Sequence, residues 1–293
     1  MTDVPVSVIV PTVGRAGLLE RCLESVLACD PRPAEILVVD QSGGTHVERL
    51  SSELGAPVRR VACDGTGTAR SMNTGLAAAG HDTILVTHDD CVVEPDWVGR
   101  GWAHAQAYPA AIVTGRVLPP EGAGYVPSTK TDTEPEDYTG RILSGVLYPA
   151  NMVADRRRLQ EIGGFDERPS LIVAEDNDLC YRWLRDGRPL RYEPDLVVWH
   201  HDWRTPEELV RTHIAYARAQ GGFYAKHLRD GDRRVLRLLR WDLSHGVRAL
   251  ARGALRRRPR WEDPYREMVL WLLVGLVVGW RADRRNARRG LAG

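Results

Sequence analysis

Thr83-Ile84-Leu85-Val86-Thr87-His88-Asp89-Asp90-Cys91 is a short apolar β run that halts on three polar, chemically able side chains. What precedes it decides what kind of strand it is. A helical stretch, Thr68 to Ala79, follows a Gly-rich turn (Asp64-Gly65-Thr66-Gly67), and before that turn lies a candidate strand, Val58 to Val61. Further back, Ile36-Leu37-Val38-Val39 ends at Asp40, and Val6-Ser7-Val8-Ile9-Val10 is stopped by Pro11. Between those two runs, Leu18 to Leu27 repeats with a helical period, placing Leu19, Cys22, Leu23, Val26 and Leu27 on one face. Strands separated by helices of this length are βαβ units, and these build a mainly parallel sheet flanked by helices on both faces. The expected class is α/β. In such sheets ligands bind beyond the carboxyl ends of the strands, which is where Asp40 and His88-Asp89-Asp90 fall.

Downstream, Pro95 suits the first turn of a helix running to about Tyr108. Ala111 to Leu118 reads as another strand, and Pro119 to Arg141, rich in Pro, Gly, Thr and acids, as a long mobile loop. The core resumes at Val146, and a helix from about Glu175 to Arg185 is closed by Asp186-Gly187. From Thr205 the pattern is all-helical, with helices expected at about Pro206–His227, Arg233–Ala251 and Asp263–Arg281. The expected division is an α/β domain over 1–204 and a helical, basic C-terminal extension over 205–293.

The charge follows that division. The 293 residues carry 40 Lys+Arg against 39 Asp+Glu, yet Arg229 to Gly293 holds 17 against 7 and Met1 to Leu228 holds 23 against 32. An acidic front that can hold cations precedes a basic tail that can meet anions. Nucleic acid is not the expected partner, because the arginines lack a groove-reading module. Five cysteines (Cys22, Cys29, Cys63, Cys91, Cys180) show no CxxC spacing and read as reduced thiols. Met1 leads directly into a strand without a basic or apolar leader, so the expected location is cytoplasmic.

Three clusters can carry chemistry. His88-Asp89-Asp90 offers oxygen and imidazole ligands for Mg²⁺ or Mn²⁺, or alternatively a turn and cap. Ala174-Glu175-Asp176-Asn177-Asp178 puts three acids at the start of an amphipathic helix. They can serve the helix dipole, or supply a carboxylate base whose pKa the helix terminus lowers. One acid suffices for a cap, and Asp178 is expected to face solvent. His200-His201 follows the apolar run Leu196 to Trp199 and can ligate metal, bind phosphate or serve a structural role.

In order and spacing these segments resemble the family 2 glycosyltransferases, whose domain is the Rossmann-like GT-A fold. The resemblance covers about Val6 to Asp202. Val6 to Thr12 is similar to the first strand and donor-site loop, with Pro11 and Thr12 at the nucleotide-sugar. Ile36 to Ser42 is similar to the second strand, where the Asp, here Asp40, contacts the nucleobase. Gly67-Thr68-Ala69-Arg70-Ser71-Met72-Asn73-Thr74-Gly75 resembles the segment G-x-x-x-A-R-N-x-G with Ser71 or Met72 inserted, which leaves open whether Arg70 or Asn73 faces the nucleotide. Thr87-His88-Asp89-Asp90-Cys91 takes the DXD position, with His88 in place of the first Asp. Asp89 is then a donor-site residue and Asp90 the principal metal contact. Tyr148-Pro149-Ala150-Asn151-Met152 and Gly163-Gly164-Phe165-Asp166-Glu167 resemble acceptor-side elements, giving Asn151, Gly164, Phe165 and Asp166. Glu175-Asp176 resembles the ED motif, in which the Asp is the base, and His200 the late histidine that completes metal or diphosphate binding.

The resemblance implies an inverting transfer from a nucleotide-diphosphate sugar, UDP-linked in most members, to an acceptor hydroxyl, with Mg²⁺ or Mn²⁺ held by Asp90, His88 and His200. The setting would be glycan, glycolipid or glycosylated-metabolite biosynthesis. The alternative, prompted by His88, is a catalytically inactive GT-A scaffold binding nucleotide or membrane. Met268 to Trp280 is 13 residues without a charge. As a helix it spans roughly 20 Å, short of the roughly 30 Å hydrocarbon core. Flanked by arginines through 256–289, it suits a peripheral anchor on an anionic inner leaflet. The other covers for it are the α/β domain or, in a homodimer, a second copy of the chain.

Overall fold

The computed structural model describes residues 3–256, 259–263 and 265–288. The chain divides into two compact units: residues up to Asp166 together with Leu179–Trp203, and Glu167–Asp178 together with the chain from Arg204.

The first unit opens with β1 (Val4–Thr12), α1 (Ala16–Leu27), β2 (Pro33–Asp40), α2 (Thr45–Leu54), β3 (Val58–Ala62), α3 (Thr68–Ala78) and β4 (Thr83–Val86). It continues with β5 (Cys91–Val93), α4 (Trp97–Ala107), β6 (Ile112–Leu118), β7 (Glu136–Asp137), β8 (Met152–Asp155) and α5 (Arg156–Glu161). The helix α6 (Glu175–Arg185) and strand β9 (Leu190–His200) follow. Among the described residues one sheet runs β3-β2-β1-β4-β8-β6-β9-β5, with β7 beside β9. The pairs β1/β2, β1/β4, β2/β3 and β6/β9 are parallel; β4/β8, β6/β8, β5/β9 and β7/β9 are antiparallel. The long ladders are the parallel ones, as the βαβ pattern of the first 90 residues requires.

Strand alternation feeds two cores. Val6, Val8, Val10, Ile36 and Val38 face Leu19, Cys22, Leu23 and Val26 of α1 and Trp97 and Val98 of α4. Ile9, Leu37, Val39, Ile84 and Val86 face Met72 and Leu76 of α3, with Leu179, Trp183 and Leu184. All of these side chains are essentially removed from water, each contributing on the order of 2 kcal/mol.

The segment expected as a long mobile loop, Pro119 to Arg141, is tied to the sheet at several points. Lys130 bridges Val117, β7 pairs with β9, and the Tyr192 hydroxyl donates to the Asp132 carbonyl at 2.5 Å. These pairings are non-local and involve two residues or fewer at a time, too few to leave a period in the sequence. In β9 the register against β6 jumps between Gly115/Glu193 and Arg116/Val197. Asn151 holds the resulting bulge: its amide donates to the carbonyls of Arg116 (2.8 Å) and Leu196 (2.9 Å) and accepts from Trp97 Nε1 (2.9 Å).

In the second unit α7 (Pro206–Arg229), α8 (Val235–Arg256) and α9 (Tyr265–Arg288) form the helical extension. Pro206 sits in the first turn of α7, behind a capping box formed by Thr205 and Glu208. The helices α7 and α9 cross on glycines. A methyl on Gly275 would lie 2.0 Å from the Arg218 carbonyl oxygen, and one on Gly221 would lie 2.1 Å from that of Leu272. A third, Gly222, would meet the Ser170 carbonyl at 2.0 Å, so Glu167–Asp178 lies close against α7 within this unit. No helix among the described residues is long and apolar enough to cross a membrane.

Candidate functional site

In the first unit, Thr12 ends β1, Asp40 ends β2, and His88-Asp89-Asp90 follows β4. Because these strands are parallel neighbours, their carboxyl ends lie side by side. Asp89 and Asp90 are only 1% and 4% exposed, so two adjacent carboxylates are buried together and need positive partners. Thr12 Oγ1 donates to Asp89 Oδ2 at 2.6 Å. Arg15, in the loop after β1, donates to both oxygens of Asp89 and lies 3.2 Å from Asp90 Oδ2. Its guanidinium also stacks on Trp203, 4.9 Å from the ring centre, while Trp203 Nε1 donates to Asp90 Oδ2 at 3.3 Å.

His200 Nδ1 meets the Pro127 carbonyl at 3.2 Å, and a carbonyl only accepts, so that nitrogen carries the proton. Nε2 then faces Asp90 Oδ2 across 3.7 Å. Burial opposes ionisation of Asp90, but His200, His88 and Arg15 outweigh it and hold the carboxyl below the usual range. Burial lowers the His88 pKa, only partly offset by Asp90 and Asp89, and its Nε2 has no hydrogen-bond partner. Two carboxylates, an imidazole with an orphaned nitrogen and a second imidazole facing a carboxylate are donor types that suit a hard divalent cation.

The other expected donor-site residues have defined partners. Asp40 accepts from Ser42 N (2.8 Å), Ser42 Oγ (2.5 Å) and Arg60 Nε (2.8 Å). Arg70 reaches the Gly-rich turn, donating to the Asp64 carbonyl at 3.2 Å. Asn73 instead pairs with the backbone of Phe165, donating to its carbonyl (2.8 Å) and accepting from its N–H (2.9 Å). Arg182 clamps the same corner through the carbonyls of Ile162 (2.7 Å) and Gly164 (2.6 Å). Phe165 and Asn151 are buried, Gly164 packs under Asn73, and Asp166 is half-buried.

In the second unit, the first turn of α6 presents Glu175, Asp176 and Asp178. Asp178 does not face solvent as expected. It is fully buried, accepting from Lys226 Nζ (2.5 Å) and His227 Nε2 (2.9 Å) of α7. Asn177 adds a bond to Gln220 Oε1 at 3.0 Å, so three side chains of α7 hold the turn. Nor is the Asp176 pKa lowered. Burial pushes it up to about 6, and the N–H bond from Asn177 (2.7 Å) only moderates that rise. Desolvation outweighs the helix terminus here.

Arg15, Trp203 and Lys226 were not singled out from sequence. Their partners lie tens of residues away, and an arginine in a loop has no local signature. Among the described residues the one group of three whose ligand atoms all lie within 4.8 Å of one another is His104, Glu193 and Asp195. Its carboxylates are already served by Arg100 (3.0 Å), His104 (2.8 Å) and Arg191 (3.0 Å), which leaves little net charge for a cation.

Residues 7–161 match the model of glycosyl transferase family 2. The pre-mycofactocin glycosyltransferases of Mycobacterium tuberculosis strains CDC 1551 and H37Rv are each 30% identical over 233 residues, 74% of this chain. The chain spans about half the length of these relatives, 46%. The mannosyltransferase PcManGT from Pyrobaculum calidifontis, solved with GDP-Man and Mn²⁺, superposes with a TM-score of 0.63 at 20% identity, covering 95% of this chain and 87% of its own. Residues 1–349 of S. aureus TarS, solved with UDP-GlcNAc, give 0.58 at 14% identity over 98% and 92%. These two structures share the fold, a mainly parallel α/β sheet followed by a helical region. With the family match spanning more than half of the sequence, the chain belongs to glycosyl transferase family 2.

Proposed function

We propose that the chain transfers a glycosyl group from a nucleotide-diphosphate sugar to an acceptor hydroxyl, with inversion at the anomeric carbon. The observation that carries this reading is the buried Asp89–Asp90 pair at the carboxyl ends of adjoining parallel strands, in a member of this family. Asp90, His88 and His200 would hold Mg²⁺ or Mn²⁺, which when bound neutralises charge on the departing diphosphate. Pro11, Thr12, Asp40, Arg70, Asn73 and Asp89 form the donor side. Asp40 and Asn73 act there through the loops they fix, given their hydrogen bonds to Arg60, Ser42 and Phe165. Asn151, Gly164, Phe165 and Asp166 shape the acceptor side from behind.

Asp176 is the base. A carboxyl pushed up to about 6 is ionised at neutral pH yet basic enough to take a hydroxyl proton as that oxygen attacks. Glu175, buried beside it, supports it. UDP is the favoured nucleotide and a glycan, glycolipid or glycosylated metabolite the product. The relatives named for pre-mycofactocin lend weight to the metabolite. Donor hydrolysis or transfer across UDP-, GDP- and dTDP-sugars tests the reading, and an inactive scaffold would turn over none of them.

We also propose that α8 and α9 rest on an anionic membrane surface. While one face of α9 packs through Gly275 and Gly279, the opposite face leaves Leu270, Leu273 and Val277 at 62%, 43% and 48% exposure. On α8, Trp241 stands 58% exposed among the exposed Arg237, Arg240, Arg248 and Arg252. An apolar face beside arginines matches an interface-lying helix. Of the arginines expected to flank this segment, Arg257, Arg258 and Arg289 lie outside the described residues, as do the side chains of Arg256, Arg284, Arg285 and Arg288.

A further inference from the structure

The donor set described above already holds a cation, and it is part of the chain. The Arg15 guanidinium lies on both Asp89 oxygens and 3.2 Å from Asp90 Oδ2, where a divalent ion would have to approach the same carboxylates. A fixed positive charge at that distance repels a dication, so ion and guanidinium cannot share the pair at full strength. The Arg15 backbone is fixed, because its carbonyl takes the first N–H groups of α1 from Leu18 and Leu19. At 25% exposure the Arg15 side chain meets water where Asp89 and Asp90, at 1% and 4%, do not, and it is held by the two acids and by the face of Trp203.

Gly14, just before it, sits at φ +86°, and a side chain there would strike Ser42 Cβ at 2.7 Å. The loop is therefore set to present Arg15 at this spot, with Gly14 N bonded to the same Thr12 hydroxyl that donates to Asp89. A guanidinium displaced from the acids can pair with a diphosphate, an anion whose geometry it matches bidentately.

We propose that Arg15 is a tethered stand-in cation: it occupies the Asp89–Asp90 pair in the free protein, competes with the divalent ion, and passes to the donor's diphosphate when both arrive. This rests on the metal assignment made above. Metal binding alone is then weak by design, and nucleotide and metal bind with positive cooperativity, because each supplies what the other displaces.

The test is Mn²⁺ binding followed by EPR of the free ion, with and without UDP, for the wild type, Arg15→Gln and Arg15→Lys. Without nucleotide, Arg15→Gln binds Mn²⁺ at least tenfold more tightly than wild type, whereas Arg15→Lys, which keeps the charge, stays close to wild type. With saturating UDP the advantage of Arg15→Gln disappears or reverses. Equal or weaker Mn²⁺ binding by Arg15→Gln without nucleotide overturns the competition while leaving the metal site standing. Failure of wild type and variants to bind Mn²⁺ even with UDP overturns the metal site and the proposal together. Should Arg15→Gln not fold, the wild type still decides. Mg²⁺, which is diamagnetic, changes tryptophan emission as Arg15 leaves the Trp203 ring, and Trp203→Phe abolishes that change. An Mg²⁺ response identical in wild type and Trp203→Phe counts against the proposal.

Discussion

Asp176 and Asp178 stand two residues apart in one helical turn, yet their surroundings give them different work. Asp178 is spent on Lys226 and His227 and keeps the turn attached to α7. Breaking such a buried pair from one side typically costs about 3–5 kcal/mol. Asp178→Ala is expected to lower the unfolding free energy by that order, read from denaturant melts. Asp176, pushed up to about 6, has its proton equilibrium close to working pH. The sign follows from the role: above about 6 the carboxylate is available as a base, and below it protonation removes the base. The pH–rate profile of kcat is therefore expected to fall on the acid side with a limb near 6. Asp176→Asn should lose about 10²–10⁴ in turnover and retain nucleotide affinity measured by calorimetry. Near-normal transfer by that variant would remove Asp176 from the chemistry.

At the scale of elements, glycine placement and exposed faces make the predictions. Where α9 crosses α7, Gly275→Leu would drive a side chain into the Arg218 carbonyl. Overpacking of this kind costs typically 1–3 kcal/mol, expected here at the upper end because backbone must move, and visible as a lowered Tm. On the opposite face of α9, replacing Leu270, Leu273 and Val277 with Gln touches side chains that already meet water. Stability should stay within about 0.5 kcal/mol per site, while flotation with anionic liposomes falls several-fold. Unchanged flotation would send that face to a protein partner instead.

Across the whole chain, what the sequence made legible was what repeats locally. The strands β1, β2 and β4 and helices α1 and α3 announced themselves through apolar runs and a 3.6 period, and their carboxyl-end residues came with them. The two-residue β7 carries no period at all. The helix α2 has no side-chain cap to mark where it begins. At the site, acids and histidines were legible because their residue types are chemical and their order matched a family. Their partners were not, since Arg15, Trp203 and Lys226 are defined by contacts across 30 residues or more. Environment was also hidden: burial reversed the expected pKa direction of Asp176 and turned Asp178 inward.

The central claim is that the buried acid pair serves turnover of a nucleotide-sugar. Its most direct measurement is nucleoside-diphosphate release from UDP-, GDP- and dTDP-sugars, in Mn²⁺ and in EDTA, by wild type and Asp90→Ala. One donor is expected to turn over in Mn²⁺ and not in EDTA, with Asp90→Ala slower by ~100-fold or more. Turnover that is equal in EDTA and unaffected by Asp90→Ala, or no turnover of any donor, would contradict it.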